Sequence, residues 1–402
     1  MMRFIKCIVD EEACRDCNFC TTTNICYSPR ECTGCMSCYW ACPYEARKVI
    51  YLEEERPKVR IKVDGTEYEV PKGITVLRAL ELIGYKITQF PGKSIISAPC
   101  RTGGCWSCAV LINGELERSC VTPVRDGMDI RTNVDERDPL RIVHGPEPHS
   151  VGGKATPWYE KGRKYVEVAI WVAGCNLRCP QCQNYHVTYD NASVPMTPLE
   201  TAKILTYYRR YFNVKGIAIS GGEPTINRRW LIEYFKLLRK MNKEKDIRLH
   251  LDSNGTVLKP DYIDELVDAG CNNIGVEPKG ARVETFMKIT GIRDRELARE
   301  YLKTSWDAIK YICDKYMDDV YLGVGIPYNQ AFMTLEEVEE IGDRIASIDN
   351  SIQVCVLDYF PTFRRRDLKR PSPLQMLRVK RILNEVGLKF VIVQTSLGHI
   401  GP

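Results

Sequence analysis

The sequence predicts an α/β chain in which repeated β/α units over residues 164–402, implying a parallel sheet or a barrel, follow two small cysteine-rich modules at 1–56 and 57–132. Three observations predict it. Thirteen of the 19 cysteines fall within the first 120 of 402 residues. From Val166 onward, apolar runs of strand length alternate with helical patterns. Between them, residues 133–163 break both patterns with Gly145-Pro146-Glu147-Pro148, Gly152-Gly153 and Pro157, and read as a linker.

Composition bounds the class. A 44% hydrophobic fraction over this length can fill more than one core. The opening residues lack the apolar stretch of a secretory signal, and no segment holds the roughly 18 consecutive apolar residues of a membrane span. The expectation is a soluble, intracellular, cytoplasmic protein. Tight C-x2-C spacing in that setting favours metal ligation over a disulfide scaffold. The formal charge of +5 counts every cysteine as neutral. Cysteines that bind metal would be anionic thiolates and offset that excess, so it is not read as a nucleic-acid signature.

In the first module Cys32, Cys35, Cys38 and Cys42, followed by Pro43, have the spacing C-x2-C-x2-C-x3-C-P. Cys14, Cys17 and Cys20 repeat the triplet, and Cys26 follows after five residues without a proline. The module resembles the dicluster [4Fe-4S] ferredoxins, in which the last cysteine of each run ligates the other cube. That resemblance implies one cube on Cys14, Cys17, Cys20 and Cys42, and a second on Cys32, Cys35, Cys38 and Cys26. Cys7 is the alternative fourth ligand, although its place in the apolar strand Phe4 to Val9 suits a small buried hydrophobe.

In the second module residues 58–70 alternate around Asp64-Gly65, a hairpin signal, and Thr75 to Ile83 is helical. Cys100, Cys105 and Cys108 are spaced C-x4-C-x2-C, with Cys120 beyond a second hairpin at Asn113-Gly114. This is the plant-type [2Fe-2S] arrangement, with zinc as the alternative occupant of the four thiolates. The segment resembles the β-grasp [2Fe-2S] domains of succinate dehydrogenase, fumarate reductase and NADH dehydrogenase.

In the third part, strands are expected near 166–172, 216–219, 247–251, 273–276, 320–326, 352–357 and 390–393. Thr197-Pro198-Leu199-Glu200 and Thr334-Leu335-Glu336-Glu337 mark helix starts. Leu231, Tyr234, Phe235, Leu238 and Met241 share one helix face. Repeated β/α units place a ligand site at the C-terminal strand ends, so the chemistry should follow each strand.

After the first strand come Cys175, Cys179 and Cys182, spaced C-x3-C-x2-C. Three thiolates can hold three corners of a cube and leave the fourth iron open. The part resembles the radical S-adenosylmethionine (SAM) enzymes, with Gln181 where many members carry an aromatic residue, and the fold implied is a partial (β/α)6-type radical SAM barrel. The resemblance implies that the Ser220-Gly221-Gly222-Glu223-Pro224 turn receives the methionine amino group of SAM. Leu251-Asp252-Ser253-Asn254-Gly255 and Glu277-Pro278-Lys279 resemble the L-D-T-N-G and D-x-K segments of glycyl-radical enzyme activases. There Lys279 would meet the cofactor carboxylate and the acids would line the same pocket. Glu277 stands in place of the usual aspartate, which leaves open whether a cation binds there. Gly325, in Gly323-Val324-Gly325, falls where the family lays the adenine. The run Arg364 to Arg366 is either a solvated face or a contact for an anionic substrate or partner, and the closing Ser396 to Pro402 could cap the barrel, with His399 as a structural residue.

The resemblance implies an anaerobic enzyme with three [4Fe-4S] clusters, one carrying an open iron, and one [2Fe-2S] cluster. It would cleave SAM to a 5′-deoxyadenosyl radical for hydrogen abstraction, taking electrons from an external ferredoxin or reductase through its own clusters. Likeness to glycyl-radical activases and to the AmmeMemoRadiSam family suggests a protein glycine on a separate partner, or a small metabolite, as the target. The alternatives are an electron-transfer subunit without SAM turnover and a peptide-modifying radical SAM enzyme. A cobalamin methyltransferase would need a further domain, for which no residues remain.

Overall fold

A computed structural model describes residues 3–92, 96–161 and 164–402. The expected linker end at 163 and the first two residues of the first module lie outside them. In the first module β1 (Arg3–Val9) pairs antiparallel with β2 (Arg47–Glu53), from Arg3 opposite Glu53 to Val9 opposite Arg47. Between them stand two short helices, α1 (Phe19–Thr22) and α2 (Ser37–Ala41). The repeated cysteine triplet is also a backbone repeat. Asp16 and Gly34, one residue before the middle cysteine, have positive φ, as do Asn18 and Met36, two before the last. Each triplet therefore curls the same way, as two halves wrapped around equivalent centres require.

The second module is a five-stranded sheet in the order β4 (Thr66–Pro71), β3 (Lys58–Val63), β9 (Met128–Arg131), β7 (Ala109–Ile112), β8 (Glu115–Arg118). Only the β3 and β9 pair is parallel. Alternation along β3 buries Val59, Ile61 and Val63 against Val76, Ala79 and Leu80 of α3 (Val76–Leu82), which starts where Thr75 accepts a hydrogen bond from the Arg78 amide. Asp64-Gly65 and Asn113-Gly114 both take φ > 0 at their two central residues, the turn whose twist matches paired strands. A separate two-stranded pair joins β5 (Ile87–Thr88) and β6 (Ile96–Ser97), just ahead of Cys100.

The third part is a nine-stranded sheet in sequence order, from β10 (Val143–His149) to β18 (Gly398–Ile400). Seven strands run parallel: β11 (Glu167–Val172), β12 (Gly216–Gly221), β13 (Arg248–Ser253), β14 (Asn273–Val276), β15 (Tyr321–Tyr328), β16 (Gln353–Asp358) and β17 (Val391–Thr395). They enclose six β/α units, as expected. The helices are α4 (Tyr185–Thr188), α5 (Pro198–Tyr211), α6 (Arg228–Met241), α7 (Pro260–Asp268), α8 (Val283–Thr290), α9 (Arg295–Tyr316), α10 (Leu335–Ile348) and α11 (Pro373–Glu385). Thr197 and Glu200 form the expected capping box, and Thr334 caps α10. Trp230, Leu231, Tyr234, Phe235 and Leu238 of α6 pack wholly buried on the sheet.

Two expectations change. The stretch 133–163 is more than a connection: it supplies β10, which adds antiparallel to β11, and then turns under the barrel. Its Pro and Gly content hid the strand, because an edge strand can carry Pro146 and Pro148 where an inner one cannot. The closing residues do not cap the barrel. They form β18, with His399 opposite Gln394 of β17. Among the described residues, no helix is long and apolar enough to cross a membrane.

Candidate active site

The ends of β11 to β14 and β16 converge on one cavity. The chain leaves β11 at Ala173 and bends so that Cys175, Cys179 and Cys182 all face that space. Burial pushes all three thiols up, Cys179 to about 12. A thiolate in such a place needs a cation against it, which is what an iron corner supplies. Gln181 is fully buried and donates to the Ile289 carbonyl at 2.6 Å, which anchors the loop to α8.

Glu223 is 1% exposed and its carboxylate is fully engaged. It accepts from the Ser253 hydroxyl (2.8 Å), the Asn254 amide (2.7 Å) and the Thr225 hydroxyl (2.7 Å). Its observed work is to lock the turn after β12 to the segment after β13. Gly221 permits this at φ 123°, because a Cβ there would collide with the Val172 backbone of β11. The Asn254 side chain donates to Asn176 at 3.1 Å and comes within 3.9 Å of the Cys175 sulfur, so the segment after β13 also steadies the cysteine loop.

On the opposite wall lies a charge network. Glu277 is bonded to Lys279 and, at 2.9 Å, to the Tyr359 hydroxyl, which receives Lys279 at 3.0 Å. Lys154 joins from below, 3.4 Å from Asp252 and 3.5 Å from Glu277. Burial opposes both lysine charges, yet Asp252 and Glu277 hold Lys154 above the ordinary lysine range, and Glu277 does the same for Lys279. Beneath Asp252 is His250, between Asp252 (3.2 Å) and Glu167 (3.5 Å). Burial would lower its pKa, but the two carboxylates raise it to about 9.

The structure thus brings Cys175, Cys179, Cys182, Gly221, Gly222, Glu223, Asp252, Ser253, Asn254, Glu277 and Lys279 to one cavity. Gly325 is not among its walls. The space beside Gly325 holds the Lys154 side chain, and that beside Gly323 holds the Lys154 backbone, so the two glycines clear a slot for this lysine. Lys154 and Arg141 were missed in the sequence because both sit in the apparent linker. Fully buried Arg141 donates to the carbonyls of Pro224 (2.7 Å), Ala173 (2.9 Å) and Glu223 (2.6 Å), and so ties the cysteine loop to the turn after β12. Tyr359, directly after β16, was not singled out either, because nothing in its local pattern marks it. The basic run is divided and does not reach the cavity: Arg364 donates to the carbonyls of Cys42 (3.0 Å), Tyr39 (2.5 Å) and Trp40 (3.0 Å), whereas Arg365 pairs with exposed Asp367 and exposed Arg366 lies over the Tyr44 ring.

The accessory cysteines also gather. Among the described residues none is paired in a disulfide. Cys100, Cys105, Cys108 and Cys120 are buried and hydrogen-bond one another, which pushes Cys100 down while burial and Cys100 push Cys105 up. Four thiols crowded in one apolar space fit a shared metal centre. In the first module, the Cys7 thiol bonds those of Cys32 and Cys38 and lowers them to about 5 and about 7. Cys7 is half-buried rather than a core hydrophobe, and Cys26 is exposed.

Residues 170–345 match the radical SAM superfamily, and residues 56–135 match a 2Fe-2S iron-sulfur cluster binding domain. An uncharacterized iron-sulfur protein of Methanocaldococcus jannaschii is 49% identical over 63 residues, 16% of this chain and 12% of the relative. A probable GTP 3′,8-cyclase of Methanococcus aeolicus is 32% identical over 117 residues, 29% of this chain and 38% of the relative. The chain thus spans well under two thirds of either. A putative glycyl-radical enzyme activating enzyme of Methanocaldococcus jannaschii is 25% identical over 46% of this chain and 71% of the relative. Among solved structures, HydG, a maturase of the [FeFe]-hydrogenase, aligns at a TM-score of 0.42 and 10% identity, covering 55% of this chain and 48% of that one.

Proposed function

We propose, for a chain that carries a radical SAM domain behind a 2Fe-2S iron-sulfur domain, that it reductively cleaves SAM to a 5′-deoxyadenosyl radical used for hydrogen abstraction. The observation that carries this reading is the convergence of Cys175, Cys179 and Cys182 with the turn after β12 and with Asp252 and Lys279 on one cavity. Bound there, a three-thiolate [4Fe-4S] cluster with an open iron would supply the electron that breaks the S–C5′ bond of SAM.

The chain's own residues do the rest. Three cysteines hold the cluster and leave one corner for the amino acid part of SAM. Glu223 and Arg141 fix the turn at Gly221 and Gly222, which faces that corner. Lys279 offers a cation to the SAM carboxylate, and Tyr359 and Glu277 keep it aimed inward. Asp252 and Ser253 line the same cavity, with the Ser253 hydroxyl holding Glu223.

Residues 1–56 and 57–132 are read as a dicluster [4Fe-4S] module and a [2Fe-2S] module, and 164–402 as the catalytic barrel. Clusters held by these modules would relay electrons from an external donor. Their ligands are Cys14, Cys17, Cys20 and Cys42 in one cube, Cys32, Cys35 and Cys38 with Cys7 in place of Cys26 in the other, and Cys100, Cys105, Cys108 and Cys120 in the [2Fe-2S] centre. The target is a glycine of a partner protein or a small metabolite. The relative named as an activating enzyme supports the first and the relative named as a GTP cyclase supports the second.

Anaerobically reconstituted protein should bind about 14 irons per chain and, once reduced, convert SAM to methionine and 5′-deoxyadenosine. Deuterium transfer from labelled candidates into 5′-deoxyadenosine then separates protein from metabolite targets. The rival is an electron-transfer subunit whose barrel does not turn over SAM. Absence of 5′-deoxyadenosine from fully loaded, reduced protein would favour it.

A further inference from the structure

We infer that the catalytic cluster has two separate electron inlets, the [2Fe-2S] centre at its Cys175 corner and the Cys14 to Cys42 cube at its Cys182 corner. The inference rests on the proposed relay and goes beyond it, since a chain of clusters strung on one polypeptide does not by itself say which cluster touches which. Electron transfer weakens steeply with separation, so packing decides the wiring.

At the first corner, Cys100 and Cys105 belong to the same apolar core against which Cys175 and Cys179 pack. The contact is as close as backbone permits: a Cβ added to Gly174 would lie 2.6 Å from the Cys105 Cβ and 2.8 Å from its amide nitrogen. Arg178 fastens the two loops, donating to the carbonyls of Cys175 (2.8 Å) and Cys100 (2.5 Å). Its guanidinium also sits 5.2 Å from the centre of the Trp40 ring, so one side chain joins all three modules.

At the second corner Cys182 packs with Phe19, Ala41 and Phe363. Phe19 and Ala41 adjoin Cys20 and Cys42, two ligands assigned to the same cube, and Arg364 clamps the Cys42 carbonyl. The remaining cube faces elsewhere. Cys35 packs with Cys108 and Cys120, so that cube reaches the barrel by way of the [2Fe-2S] centre or by way of its twin. The four centres form a loop, with the catalytic cluster touched on two sides.

The test counts stored electrons in the full chain. The reconstituted protein is reduced with titanium(III) citrate, freed of reductant and mixed with SAM. Each electron that arrives breaks one S–C5′ bond, releasing methionine and a radical that takes hydrogen from the buffer when no substrate is present. Wild type should yield about four equivalents of 5′-deoxyadenosine, one per cluster. Removing the [2Fe-2S] centre (Cys108→Ser with Cys120→Ser) or the Cys14 to Cys42 cube (Cys14→Ser with Cys17→Ser) should each lower the yield by about one, because the other inlet drains what remains. Removing both should lower it to about one, although one accessory cube is still present. A fall of more than one equivalent in either single-cluster variant, a wild-type yield of one, or a doubly depleted variant still above one overturns the two-inlet arrangement.

Paramagnetic resonance on wild type gives a readout that does not depend on variants folding. The reduced [2Fe-2S] signal should become harder to saturate once the catalytic cluster is also reduced, and an unchanged saturation curve overturns the first inlet. If wild type makes no 5′-deoxyadenosine at all, the proposed function fails, whereas the saturation measurement still reads the contact.

Discussion

The ammonium of Lys154, from a segment that precedes the barrel strands, lies 3.4 Å from the carboxylate of Asp252 at the end of β13. With Glu277 3.5 Å away, it supplies one of two cations that balance two buried carboxylates on the cavity wall. Lys154→Met should leave an uncompensated buried charge and cost about 3–5 kcal/mol of stability. Melting of the cluster-free protein measures this, and SAM affinity of the loaded protein should fall with it.

The slot that admits this lysine gives a sharper comparison. A methyl group at Gly323 would strike the Lys154 backbone, whereas one at Gly325 would meet side chains alone, those of Lys154 and Glu277. Gly323→Ala should therefore destabilise more than Gly325→Ala, because a side chain can move and a buried loop backbone cannot follow cheaply. Equal melting temperatures would contradict the insertion.

His250 ties stability to pH. Its folded pKa, raised to about 9 by Asp252 and Glu167 against the pull of burial, exceeds the ordinary value of 6.5. Its contribution is therefore complete below about pH 6.5 and is lost as pH climbs through about 9. The melting temperature of the cluster-free protein should fall between pH 7 and 9.5, and His250→Gln should flatten that part of the curve.

Neighbouring arginines should behave differently. Arg364 holds three carbonyls of the first module, whereas Arg365 pairs with exposed Asp367. Arg364→Ala should cost about 1.5–3 kcal/mol and expose the first module to limited proteolysis. Arg365→Ala should change stability by less than about 1 kcal/mol.

Cys7 and Cys26 compete for one cube. The Cys7 thiol lies against Cys32 and Cys38, and its amide donates to the Cys32 sulfur at 3.4 Å. Cys7→Ser should lower the iron content by up to about four, and Cys26→Ser should not. The reverse result restores the ligand that the ferredoxin spacing implied.

Much of this protein is legible in its residues because the relevant signals are local. Capping at Thr197 and Thr334, the turns at Asp64-Gly65 and Asn113-Gly114, the strand runs and the C-x2-C spacings each act within a few positions. The elements they predicted are present, with ends displaced by a residue or two. Most of the cavity was legible for the same reason, since each of its segments ends a strand. What misled was composition: Pro146, Pro148 and Gly152-Gly153 read as a tether, yet they carry an edge strand and the buried Lys154.

By itself the sequence determined which thiols exist in which spacing, where strands alternate with helices, and therefore what kinds of centre the chain can hold. Only the tertiary structure decided that Gly325 faces Lys154, that Arg364 clasps the first module, and that Cys105 rests on Gly174. The reason is physical. Spacing along a strand or helix fixes neighbours a few residues apart, whereas a contact between positions 105 and 174, or 42 and 364, depends on how separately folded surfaces meet, and no local periodicity encodes that.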